Sequence, residues 1–138
     1  MIARLNPEFD YLDPASMEPL NVAQVVVAND VIHWSGILAA RGHIDAVDFP
    51  ADTVAEELAF VLEKIDQCLR AVGSDKSRVV SLTMFTTKLD ELAASLPPIF
   101  APWAAGAAPA VTCIGVSRLA FPQVSLEVQG MALMPEKA

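Results

Sequence analysis

The chain has 138 residues, 54% of them apolar, with 17 acidic against 9 basic side chains and a formal net charge of −8. That length suits one domain. The acidic balance argues against a nucleic-acid partner, whose phosphates call for Lys and Arg, and no apolar run reaches the roughly 18–20 residues needed to cross a bilayer.

Mean hydropathy is nevertheless +0.43, high for so small a soluble chain, and a subunit interface is the expected destination of the surplus apolar surface. Only Cys68 and Cys113 occur, with no CxxC spacing, which suits a reduced compartment and two small buried hydrophobes. The opening residues lack the charged, apolar and small-residue regions of a signal peptide. A cytoplasmic location is expected.

In chain order, residues 1–20 are rich in Pro, Asp, Glu and Met without periodicity and read as an N-terminal arm, leaving 21–138 as the domain proper. Two β-prone runs, 23–28 and 31–36, are split by Asn29-Asp30 and predict a hairpin. Gly42 and Pro50 punctuate a loop. Thr53-Val54-Ala55-Glu56 matches a capping box, and Val54, Leu58, Val61, Leu62, Ile65, Leu69 and Val72 then form one apolar stripe on a helix of about five turns ended by Gly73. On that reading Glu56, Glu57, Glu63, Lys64, Asp66 and Arg70 face water.

Residues 78–87 alternate as a strand. Pro97 and Pro98 are tolerated only in a helix's first turn, so a turn is expected at 89–94 and a short helix at about 96–104. Residues 110–116 and 124–133 supply the last two strands, joined across Pro122. The order β-β-α-β-α-β-β predicts an α+β layer with helices on one face of a sheet. The other face needs a cover, which a second subunit can supply.

Chemistry is sparse. His33 and His43 have no HxH or HExxH spacing, so no metal site is expected. Neither Ser35-Gly36 nor Ser117 fits GxSxG, and the glycine patterns that cradle nucleotide phosphates are missing, so no cofactor is expected. Cys113 reads as a structural thiol. Glu127 stands out, flanked by apolar neighbours in Leu126-Glu127-Val128. It either faces solvent by simple alternation or sits in a cleft, where partial burial would raise its pKa and suit it to proton transfer.

Four stretches carry a family resemblance: Val31-Ile32-His33-Trp34-Ser35-Gly36; the helix from Val61-Leu62-Glu63-Lys64-Ile65 through Ala71-Val72-Gly73; Val79-Val80-Ser81-Leu82-Thr83-Met84-Phe85-Thr86; and Pro109-Ala110-Val111-Thr112-Cys113-Ile114-Gly115-Val116, with Pro122 and Leu126-Glu127-Val128. In this order and spacing, over about residues 20–134, the chain resembles the Rid (YjgF, or endoribonuclease L-PSP) family. The resemblance implies a chorismate-mutase-like homotrimer, its sheets packed into a central core, with small-molecule clefts between subunits. Deaminase members hydrolyse enamines or imines and release ammonia. Carried over residue by residue, Glu127 matches the catalytic carboxylate, Ser35 and Gly36 the Ser-Gly turn, and Cys113 the pocket cysteine.

The departures matter as much. The family's Pro-Ala-Arg appears as Pro109-Ala110-Val111, the helix Asn as Leu96, and the Tyr near the first strand as Val22. Val111 cannot hold a substrate carboxylate as a bidentate guanidinium does; Arg118 is the one nearby basic side chain that could lean back toward such a cleft. The expected function is therefore metabolite binding in inter-subunit clefts, with the usual deaminase activity lost or changed. The alternatives are an active deaminase using Glu127 on an atypical substrate and, against the charge balance, a ribonuclease or translation inhibitor.

Overall fold

Strand pairing begins earlier than composition suggests. In the computed structural model, which describes residues 1–136, the expected arm opens with a strand, β1 (Ile2–Leu5), antiparallel to β2 (Val25–Ala28). β2 turns into β3 (Val31–Leu38) through Asn29 and Asp30, both at positive φ (51° and 63°). That backbone matches the right-handed twist of a two-residue hairpin, and Asn and Asp tolerate it better than most residues. The predicted hairpin is present.

Helix α1 (Val54–Ala71) begins where the capping box placed it: the Glu56 N–H donates to Thr53 Oγ1 at 3.1 Å. It stops at Gly73, whose φ is +91°. Val54, Leu58, Val61, Leu62, Ile65, Cys68 and Leu69 are all buried against the sheet. Each such side chain stabilises the fold by about 1.5–3 kcal/mol relative to exposure.

Two polar residues expected in water are buried on this helix instead. Lys64 is 2% exposed, donating to Asp10 Oδ2 and Gln67 Oε1, both at 3.0 Å, with its ammonium 5.0 Å from the centre of the Phe60 ring. Glu57 is 4% exposed and accepts the Ser125 N–H at 2.7 Å. Helical periodicity reports where apolar residues point; it is blind to a polar residue bordering the stripe that finds its partner on a distant segment.

Strand β4 (Val79–Thr86) leads into α2 (Leu89–Ser95), a five-residue π turn (Leu96–Phe100) and a last helical piece, α3 (Ala101–Trp103). The predicted turn at 89–94 is thus helical, and the helix runs on through Pro97 and Pro98. The wider register, closed by the Ala101 N–H to Leu96 O, accommodates the two prolines, which have no N–H to offer the preceding turn. Strands β5 (Ala110–Gly115) and β6 (Leu126–Leu133) follow.

The six strands form one sheet in the order β1-β2-β3-β6-β4-β5. β5 and β6 therefore do not make a final hairpin. β6 inserts antiparallel between β3 and β4, and β5 lies on the outer edge parallel to β4. The intervening α2 segment is what a parallel crossover requires. Leu82, Met84, Leu126, Val128 and Ala132 are buried on the face covered by α1 and α2. On the opposite face Ile114, Met131 and Leu133 are exposed, with no helix over them.

The arm is docked rather than loose. Tyr11 is 6% exposed, its ring stacked on Phe9 at 5.3 Å, and the Leu38 N–H donates to its hydroxyl at 3.1 Å. Asp10 bridges Lys64 and Arg41, and these two cations hold its carboxyl below the usual range.

The Glu57 contact tests whether α1 and the start of β6 are tied together through that carboxylate. Its side chain accepts the N–H groups of Ser125 and Leu126. Truncation in Glu57→Ala strands two buried donors and should cost about 1–3 kcal/mol by urea denaturation; Glu57→Gln, which keeps an acceptor oxygen, should cost less. Equal effects for the two variants would show that the tie contributes little.

Candidate functional site

The site is built around an irregularity in β3. Pairing with β6 runs regularly from Val31 to Trp34 and resumes at Ile37, with a register shift between them. Ser35 and Gly36 occupy the gap, the kind of bulge that re-aims side chains at a sheet surface. Gly36 is there for space: a Cβ added to it would lie 2.6 Å from Cγ, Cδ and Oε2 of Glu127. The carboxylate side chain of β6 lies directly over the glycine of β3.

Glu127 projects from the sheet face opposite the helices. Its cross-strand neighbours are Leu38 on β3 and Phe85 on β4, and Phe85 in turn pairs with Ile114 on β5. Leu38 is buried in a second apolar cluster with Ala40 and Val124, bordered by Phe49 and Phe121. This apolar frame leaves Glu127 half-buried, and burial raises its pKa from the ordinary value. Among the described residues no Lys, Arg or His forms an ion pair with it. A partly desolvated carboxylate without a cation is suited to taking up and returning a proton. Glu127 is half-buried, neither fully exposed nor enclosed.

The other predicted residues are distributed unevenly. Ser35 is close by, yet its hydroxyl donates to Ala23 O at 2.8 Å and its N–H to Gln24 O at 2.8 Å. Those bonds tie β3 to the segment ahead of β2. Val111 and Cys113 sit on edge strand β5, paired with Leu82 and Met84, and pack against the core on the helix side of the sheet. They are thus two strands away from Glu127 and on the opposite face. Burial raises the Cys113 thiol pKa, keeping it protonated and a poor nucleophile. Leu96 begins the π turn and packs on the core, while Val22 is exposed near Arg4 and Asn6. Arg118 does not lean toward Val111; it lines a different cavity, with Lys88 and Ser125. Within one chain, then, Gly36 and Glu127 touch and the β5 residues stand apart.

Tyr11 is the residue that sequence reasoning missed. Burial and the nearby Glu127 charge both push its hydroxyl well above the usual tyrosine range. It stays protonated, accepts from Leu38 N–H, and borders the strand position paired with Glu127. Lying in a segment without periodicity, it offered no pattern that would place it beside β3. Among the described residues no group of three or more His, Cys, Asp or Glu is gathered for a metal, and no helix is long and apolar enough to cross a membrane.

The family model described as endoribonuclease L-PSP matches residues 13–134. Of solved structures, a member of the YjgF protein family from Neisseria meningitidis is 29% identical with a TM-score of 0.71, covering 84% of this chain and 89% of that one. The yeast protein YEO7 is 20% identical with a TM-score of 0.82, covering 98% of this chain and all (100%) of its own. A YjgF-family member from Mycobacterium tuberculosis is 13% identical with a TM-score of 0.77, covering 97% and 100% of the two chains. A search of curated proteins found no match.

Two measurements test the Gly36–Glu127 contact. Because the folded-state pKa of Glu127 is raised, its protonated form favours folding. That contribution is complete below the unfolded value of about 4.3 and is lost as pH rises through the folded value. Glu127→Gln should therefore be more stable than the parent at pH 7–8, the gap closing toward about pH 4; a gap independent of pH would refute the desolvated carboxylate. In Gly36→Ala the new methyl displaces the carboxylate toward water, and an NMR titration should find the Glu127 pKa moved back toward the ordinary value. An unmoved titration would mean that the two side-chain positions are not in contact.

Proposed function

Since the chain belongs to the endoribonuclease L-PSP family, we propose that it assembles as a homotrimer and binds a small metabolite in the clefts between subunits, with the usual enamine/imine deaminase activity lost or changed. The observation that carries this reading is the pairing of Val111 with Leu82 against the core, at the position where family resemblance expects an arginine. A valine provides neither charge nor donor, so a substrate carboxylate loses a bidentate partner whose charged hydrogen bonds contribute about 1.5–3 kcal/mol each. In a chain of net charge −8, nothing at that position offsets the repulsion. The preferred ligand is therefore uncharged or aromatic.

Assembly is supported by the uncovered sheet face. Ile114, Met131 and Leu133 lie there 39%, 37% and 42% exposed, in the same surface as Phe85 and Glu127. Covering it with a second subunit removes that apolar surface from water. It also offers a way for Glu127 and the β5 residues, which lie on opposite faces of one chain's sheet, to meet: β5 of one subunit approaches Glu127 of another. The seams then form cytoplasmic, cofactor-free binding sites.

A second reading keeps catalysis, and the unpaired, half-buried Glu127 favours it. In that case Glu127 takes a proton from a water that attacks the C=N carbon and gives it to nitrogen, forming a carbinolamine; the carbinolamine's hydroxyl proton then passes to nitrogen as the C–N bond breaks, so that ammonia leaves and a carbonyl remains. The atoms balance without a cofactor. The ribonuclease activity in the family's description suits an acidic chain poorly, since phosphate binding draws on clustered cations.

Sedimentation at micromolar concentration should find three times the 14.7 kDa chain mass; a stable monomer would remove the clefts altogether. Ammonia release from freshly generated 2-iminobutanoate should be absent or far below deaminase rates in the parent and should appear in Val111→Arg. Full turnover by the parent, abolished in Glu127→Gln, would establish the second reading instead.

A further inference from the structure

A cavity of about 460 Å³ lies apart from Gly36 and Glu127, where three connections meet: the approach to α1, the β4–α2 turn, and the loop between β5 and β6. Its walls are cross-tied. Thr86 Oγ1 donates to Ser125 O at 2.7 Å and accepts the Lys88 N–H at 3.0 Å, the Thr87 N–H donates to Ser125 O at 3.1 Å, and Val116 N–H to Thr86 O at 2.8 Å. From below, Glu57 accepts the Ser125 N–H. Such buried bonds hold the loops in one arrangement before any ligand arrives.

Into this cavity come Lys88 and Arg118, two of only nine basic residues in the chain. The other side-chain ion pairs of the described residues engage Arg41, His43, Lys64 and Arg70; neither Lys88 nor Arg118 is in one. Two carboxylates also line the space. Burial raises the Glu57 pKa, with its accepted N–H bonds from Ser125 and Leu126 and then the Lys88 charge acting against that rise. Asp52 is at the rim of α1 and exposed. Ser117, Thr87 and Ser125 supply hydroxyls, while Leu119 and Phe121 form an apolar wall anchored in the second cluster, with Phe121 edge-on to Phe49 at 5.4 Å.

We propose that this cavity is a second small-molecule site, for an organic oxyanion: a carboxylate or phosphate group held by Lys88, Arg118 and the hydroxyls, with a short apolar portion against Leu119 and Phe121. An ammonium and a guanidinium lining one cavity together with hydroxyl donors match an oxyanion's several acceptors. The preformed loops and the apolar wall distinguish a ligand site from a pair of solvated surface cations.

Calorimetric titration of the 138-residue chain with phenyl phosphate, benzoate and inorganic phosphate tests this. Saturable binding of phenyl phosphate or benzoate, tighter than inorganic phosphate, is expected; which of the two binds better identifies the oxyanion. Lys88→Ala and Arg118→Ala should each weaken that binding about tenfold or more, without loss of folding because both side chains are exposed. Glu127→Gln should leave it unchanged, so the result is independent of the inter-subunit cleft and of deaminase activity. Absence of saturable binding, equal affinity for inorganic phosphate, or affinity retained in the Lys88→Ala, Arg118→Ala double variant would each overturn the proposal.

Discussion

The candidate site depends on β6, one of the central strands paired on both sides. It bonds to β3 and to β4, and its alternate residues divide the labour. Leu126, Val128 and Ala132 form the floor of the core under α1, while Glu127, Gln129, Met131 and Leu133 point the other way. A slip of one residue would put the carboxylate under the helix and the core residues in water, so the position of Glu127 is as strongly specified as the hydrophobic core itself. Two glycines make that register possible. Gly36 clears space for Glu127. Gly130 accommodates the Trp34 ring and the Ser81 carbonyl, both of which an added Cβ would strike.

The α1 helix secures the same strand from below through a bond that has nothing to do with hydrophobicity. Glu57 reaches out of the stripe to the N–H groups at the entrance of β6. Lys64, about two turns further on, reaches to Asp10 and so fastens the N-terminal segment. Through that segment Tyr11 comes to rest against Leu38, across from Glu127. A single helix thus braces both the strand that carries the carboxylate and the tyrosine beside it. One face of α1 does conventional packing; its two buried charged residues place the site's surroundings.

Elements with a local signature were legible in the sequence. The Asn29-Asp30 turn, the Thr53–Glu56 cap, the Gly73 stop and the α1 stripe each depend on residues a few positions apart, and each is where periodicity and turn chemistry put it. What failed depended on long-range pairing. β1 is a strand because β2 offers it an edge, not because residues 2–5 alternate strongly. β5 and β6 follow one another in sequence, yet β4 lies between them, a consequence of the parallel crossover that no local pattern announces. Buried Lys64 and Glu57 were misplaced for the same reason: their partners, Asp10 and Ser125, are 54 and 68 residues distant.

The candidate site divides along the same line. Gly36 and Glu127 were each singled out through family resemblance, but their contact across β3 and β6 is visible only in the folded chain. Tyr11 could not, since its place depends on how a pattern-free segment docks. The most informative departure is Val111. On the covered side of an edge strand a valine is simply good packing, and by itself would mean nothing. Its meaning comes from what surrounds it: the nearest basic candidate in the sequence, Arg118, lines another cavity beside Lys88, and among the described residues no cation pairs with Glu127. A desolvated carboxylate without a counter-ion repels an anionic substrate and tolerates a neutral one. The valine where the resemblance expects an arginine and the lack of an ion pair at Glu127 among the described residues both support the proposed preference for an uncharged ligand, while Lys88 and Arg118 line a different cavity in the fold.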